Sequence, residues 1–105
     1  VKFRKDGYKV VIDGTDTLAG SCSPMPYCIR NLCKFTGISL SSALITATYN
    51  PAQLLGGQTA QTKGQLKVGY HADLCVFDWE GNVKSTWIKG EEVWRDTKTA
   101  GNWVE

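Results

Sequence analysis

The apolar positions change period twice along this chain, and that change constrains its fold more than any other feature. Up to Ile12 the apolar residues fall in short β-rich runs, "VKF" and "YKVVID". After Pro24, the residues Met25, Cys28, Ile29, Leu32 and Cys33 recur at i, i+3, i+4, i+7 and i+8, the spacing of one helical stripe facing a core. From Gly64 on, "GQLKVGYHADLCVFDW" returns to β character, with Leu74, Cys75, Val76 and Phe77 as a nearly continuous apolar run. Such a run fits a strand buried on both faces. Strands, then helices, then strands within 105 residues allow at most one small α+β domain.

Punctuation residues divide these segments. Residues 1–13 form a hairpin in this reading, turning at "RKDG" with Gly7 free to take positive φ. Ser23 is placed to cap the first helix, with Pro24 at its first position, and Gly37 stops it. A second helix starts at its N-cap, Ser39, and buries Leu40, Ala43, Leu44 and Ala47 until Asn50-Pro51 breaks it. "PAQLL" gives a short third turn closed by Gly56-Gly57, and "QTAQTK" reads as a surface connection. After a turn at Glu80-Gly81-Asn82, "VKSTWIKGEEVWR" is a second hairpin turning near Lys89-Gly90, followed by a loose tail. There are no internal repeats and no low-complexity segments.

Several classes are excluded. The net charge of +2 comes from scattered Lys and Arg, and the nearest basic run, Lys2 to Lys5, is interrupted and followed by Asp6, so no nucleic-acid footprint is expected. No apolar run approaches the roughly 20 residues of a membrane span. The N-terminus lacks the apolar centre of a signal peptide, and its lack of an initiating Met suggests a piece of a longer chain. The four Cys, at 22, 28, 33 and 75, miss the short paired spacing of zinc sites. Cys28 and Cys33, five apart on a helix, point about 140° away from each other. They read as reduced, mostly buried thiols of a cytosolic protein.

Residues that could carry chemistry are few. His71 is the sole His, so neither a hydrolytic metal site nor a Ser-His-Asp or Cys-His arrangement can be assembled from this chain. Gly56-Gly57 lacks the preceding strand and following Lys-Ser/Thr of a phosphate loop. Asp13 and Asp16 sit where a strand meets the small-residue segment "GTDTLAGS". Either could be catalytic, but Asp beside Gly and Thr is more usually a turn residue. "LAGS" itself has two readings. Its small residues and the following helix N-terminus could let a ligand reach backbone N–H and C=O groups. Alternatively, it is a tight loop that only leads into a helix.

Taken together, the segments "GTDTLAGS", "CIRNLCKFTGISLSSALITATYNPAQLLG", "KGQLKVGYHADLCVFD" and "VKSTWIKGEEVW" resemble the N-acetylglucosamine-6-phosphate deacetylase family of the amidohydrolase superfamily. They occur in that family's order from Gly14 to Trp94. The "NPA…LLG" and "KG.L…G..ADL" pieces are shared by many amidohydrolases, whereas "TLAGS" followed by "RNL…TG" narrows the match to the deacetylase. Gly-Thr-Asp ahead of it is similar to the eukaryotic branch. Departures are Ala19, where Ser is frequent, and Tyr70-His71, where a small residue and Asp are frequent.

The resemblance implies the C-terminal quarter or so of a cytoplasmic enzyme. It implies an α+β fragment: residues 1–57 as the last helices of a (β/α)8 barrel with a substrate loop, 58–95 as C-terminal strands of its β-sandwich, and 96–105 as tail. Leu18, Ala19 and Gly20 align with the family's sugar-phosphate pocket, contacting substrate mostly through backbone. The family's metal ligands, a Glu and two His, and its catalytic Asp would lie upstream of Val1. Asp16 is then a weak catalytic candidate, and this chain alone would bind no metal and be inactive. The intact enzyme is expected to be a homodimer carrying a divalent metal, zinc by preference, with no membrane or nucleic-acid partner. Alternatives are the tail of a dihydroorotase- or hydantoinase-type amidohydrolase, or a non-catalytic packing or assembly module.

Overall fold

A computed structural model describes residues 1–97. In chain order the elements are β1 (Phe3–Asp6), β2 (Lys9–Ile12), β3 (Leu18–Ser21), α1 (Met25–Thr36), α2 (Leu40–Ile45), α3 (Tyr49–Leu55), α4 (Gly57–Thr62), β4 (Leu74–Phe77), β5 (Val83–Ile88) and β6 (Glu91–Arg95). The strands form two antiparallel three-stranded sheets, ordered β1-β2-β3 and β4-β5-β6. The α+β expectation holds at that level.

The first hairpin is present, but β1 runs through Asp6 and the turn is the pair Gly7-Tyr8 rather than "RKDG". Gly7 takes a φ of +61°, the freedom a two-residue hairpin turn requires. α1 starts one residue later than expected. Its N-cap is Pro24, while the Ser23 and Ser21 hydroxyls bond each other at 2.7 Å. Gly37, at φ +75°, ends α1 and donates its N–H to the Cys33 carbonyl. Ser39 caps α2 as expected, accepting from the Ser42 N–H at 3.2 Å.

Four expectations need correction. α2 ends at Ile45, not at Asn50-Pro51, because Thr46 and Thr48 turn their hydroxyls back onto the Ala43 and Leu44 carbonyls. Asn50 and Pro51 instead fall in the first turn of α3, where a missing N–H leaves no helical bond unmade. The "QTAQTK" connection is mostly α4, which restarts after Gly56 bends the chain (φ +66°, ψ −161°). Its polar sequence has no apolar stripe to reveal it. β4 is an edge strand with Cys75 and Val76 exposed, rather than a strand covered on both faces. Finally, Cys22, Cys28 and Cys75 are exposed and Cys33 half-buried, all as free thiols, so they are not core side chains.

The buried core is small: Val11, Ile29, Ala43 and Ala52, with Ser85 accepting the Trp87 indole N–H at 3.0 Å. The Cα radius of gyration is 16.9 Å, against about 13 Å for a compact domain of this length. Phe35, Leu54, Leu55, Leu66 and Trp79 are all exposed. The tail expected to be loose lies mostly outside the described residues. Asp96, its first residue, is held by its N–H on the Lys84 carbonyl at 2.9 Å.

Candidate functional site

Leu18, Ala19 and Gly20 lie in a strand, not the loop their size suggests. β3 completes the first sheet with Val10 opposite Gly20 and Val11 opposite Leu18, which leaves Ala19 as the extra residue of a β-bulge. A bulge bends its strand and re-aims side chains, and is common beside active sites. Nothing in "LAGS" encodes it; the signal would have been a β2 register one residue shorter than β3. Leu18 is 64% exposed. A Cβ built at Gly20 meets nothing within 4 Å, and Gly20 is not in the left-handed region. Its backbone would accept any residue.

The strand is tied to the start of α1. The Cys22 N–H donates to the Tyr8 carbonyl at 2.8 Å, and the Tyr8 and Tyr27 rings sit 4.6 Å apart, tilted by 53°. The helix N-terminus itself offers fewer donors than expected. Pro24 is the N-cap and Pro26 lies in the first turn, and neither carries an N–H. That weakens the idea that the helix end holds ligand oxygens and leaves the β3 backbone as the stronger feature.

Asp16 is exposed in the loop between β2 and β3, which is closed by the Ile12 N–H on the Thr17 carbonyl (3.0 Å) and by Thr15 on the Ile12 carbonyl. Asp13 anchors the same end, with its N–H on the Lys2 carbonyl at 2.9 Å and Arg4 Nε 3.9 Å from its carboxylate. Both positions support the turn reading of these carboxylates. A second ionic cluster went unread in the sequence. Asp73 accepts from Lys63 Nζ and from the Lys89 N–H (2.9 Å), and the Lys63 bond, then the Lys89 bond, hold its carboxyl below the usual carboxylate range. It lines a cleft of about 380 Å³ with Ala47, Thr48, Ala52, Lys63 and His71. His71 is exposed there, its N–H on the Thr62 carbonyl at 2.9 Å. Among the described residues no three His, Cys, Asp or Glu come together to hold a metal. The described residues therefore do not fit the divalent metal that the resemblance implies, and no step is derived through it. No described helix is long and apolar enough to cross a membrane.

A bulged, small-residue strand leading into packed helices and then a second antiparallel sheet matches one family along most of its length. The model of the amidohydrolase family matches residues 3–93, and the chain belongs to that family. Within it, the chain is similar to N-acetylglucosamine-6-phosphate deacetylases. That of Rattus norvegicus is 48% identical over 90 residues, 86% of this chain and 22% of the relative, and that of Homo sapiens is 44% identical over the same shares. The deacetylase structure from Thermotoga maritima superposes with a TM-score of 0.77 at 30% identity, covering 90% of this chain and 25% of that one. A mutant deacetylase from Mycobacterium smegmatis, in complex with N-acetyl-D-glucosamine-6-phosphate, gives a TM-score of 0.69 at 32% identity over 87% and 24%. The chain thus spans about a quarter or less of the length of these relatives.

Proposed function

We propose that this chain is the C-terminal part of a metal-dependent hydrolase that removes acetate from N-acetylglucosamine 6-phosphate, and that Leu18, Ala19 and Gly20 form one wall of its sugar-phosphate pocket. The observation that carries the reading is a bulged strand of small residues in a chain 32% identical to a deacetylase solved with that sugar phosphate. A bare backbone strand can offer N–H and C=O groups to hydroxyls at close range, which a substituted one cannot. In this reading the wall orients the sugar and excludes water from one side of it, while the metal, zinc by preference, and the proton-shuttling Asp come from outside this chain. Residues 1–57 would close a (β/α)8 barrel and 58–95 would join its β-sandwich, with 96–105 as tail. The enzyme would be a cytoplasmic homodimer. The exposed apolar surface of α1, α3 and β4 supports a need for covering partners, the remainder of the same enzyme first among them.

Two proteins test this. The purified 105-residue chain with zinc and the sugar phosphate should release no acetate above a metal-only blank. A chimera in which residues 3–93 replace the matching segment of the rat deacetylase should regain deacetylation. A folded, metal-loaded chimera without turnover would overturn the proposal, as would turnover by the isolated chain that Asp16→Asn abolishes.

A further inference from the structure

Arg30 joins the first half of the chain to the second. It follows the buried Ile29 on α1, and its Nη1 donates to the Gly81 carbonyl at 3.1 Å and to Asn82 Oδ1 at 3.5 Å, in the turn between β4 and β5. Gly81 is buried, and the guanidinium supplies its carbonyl with a hydrogen-bond partner. The turn is shaped to receive it. Gly81 takes a φ of +86°, and a Cβ there would lie 2.9 Å from Arg30 Cγ. Glycine therefore permits both the bend and the passage of the arginine stem. Asp78 holds the turn by itself: its Oδ1 accepts the Glu80 and Asn82 N–H groups, each at 2.9 Å, and its Oδ2 accepts Asn82 Nδ2 at 3.0 Å. With its amide nitrogen committed to Asp78, Asn82 presents its oxygen to the guanidinium.

We propose that Arg30 is a positioning residue for the substrate wall: it docks α1 on the β4–β5 turn and so fixes where β3 presents Leu18, Ala19 and Gly20. The linkage between α1 and β3 is short and stiff. Pro24 and Pro26 restrict the backbone where β3 passes into α1, the tilted Tyr27 ring packs against Tyr8, and the Cys22 N–H holds the Tyr8 carbonyl. A shift of α1 at Arg30 therefore moves the strand too. The functional meaning rests on the wall reading above, but the coupling is testable without any sugar phosphate.

Amide hydrogen exchange on the 105-residue chain reads it directly. Arg30→Met keeps the stem that packs on Gly81 and removes the donors. Paired amides of β2 and β3 should then exchange about tenfold faster, while β5 and β6 stay near wild type. Arg30→Lys, which keeps one charged donor, should fall between. Unchanged β2–β3 exchange in Arg30→Met overturns the proposal. If Arg30→Met loses protection throughout, the milder Arg30→Lys carries the test, since it keeps the stem and one charged donor. Selective loosening of β2–β3 then supports the coupling, and uniform loosening overturns it. In the active chimera, Arg30→Met should lower kcat/KM about tenfold, with partial rescue by Lys. An unaffected Arg30→Met beside a crippled Gly20→Val would refute Arg30 as a positioning residue while leaving the wall reading intact.

Discussion

Gly64 sits where the segment before β4 crosses α3, and replacing it with alanine separates two costs that are usually confounded. Its φ is +88°, a conformation that costs an L-residue about 1–2 kcal/mol. An added Cβ would also lie 2.6 Å from Ala52 Cβ and 3.0 Å from the Thr48 carbonyl oxygen. Ala52 is buried and both neighbours are anchored on α3 or its cap, so neither can swing aside as a long side chain would. Overpacking of this kind costs about 1–3 kcal/mol, for a total of about 2–5 kcal/mol. Gly69 is the matched control: its φ is +89°, and nothing lies within 4 Å of its Cβ position. Gly69→Ala should cost about 1–2 kcal/mol from strain alone, and the unfolded-chain entropy change is common to both. Urea unfolding of dilute protein followed by far-UV circular dichroism should therefore rank wild type above Gly69→Ala and that above Gly64→Ala. The last two should differ by about 1–3 kcal/mol. Equal losses would show that the segment does not approach α3 as closely as described.

Two further outcomes are expected. Because Asp73 is held below the usual carboxylate range, its contacts with Lys63 and the Lys89 N–H contribute stability that is complete at neutral pH and is lost as pH falls through that depressed value. Exchange of the Lys89 amide should rise over that acid window in wild type but be pH-flat, beyond intrinsic chemistry, in Asp73→Asn; identical profiles would refute the linkage. The exposed Phe35, Leu54, Leu55, Leu66 and Trp79 should drive concentration-dependent self-association, visible by sedimentation velocity and absent if these side chains are covered in solution.

Where sequence and structure agree, the signal is local chemistry acting over a few residues. Gly37 and Ser39 mark helix limits because a left-handed stop and a hydroxyl cap depend only on adjacent backbone, and the hairpins around Gly7 and Lys89-Gly90 follow from turn chemistry. Where they part, a neighbour distant in sequence or a competing bond decides. "LAGS" has poor strand propensity but becomes β3 because β2 offers it an edge to pair with. Asn50-Pro51 looks like a break and is a beginning, since threonine hydroxyls had already ended α2. α4 is polar all round and gives no periodic cue. Of the candidate site, Leu18, Ala19 and Gly20 are proposed on family resemblance, whereas the bulge, the Lys63–Asp73 pair and the Arg30 tie all require tertiary pairing to be seen.

The wall itself is tested most directly by Gly20→Val beside Ala19→Ser in the rat chimera. Because Gly20 has ordinary backbone angles, valine puts no strain on the strand, and with no metal ligand in this segment metal content should be unchanged. The branched side chain would instead fill the space the sugar needs, and a misplacement of about 1 Å can cost on the order of 100-fold in rate. Ala19→Ser, which restores the frequent family residue without touching the backbone, should stay within a few-fold of the parent chimera. A loss of kcat/KM of about 100-fold or more in Gly20→Val, with normal metal content and a normal melt, is the predicted result. Near-normal turnover in that variant would show that β3 only leads the chain into α1.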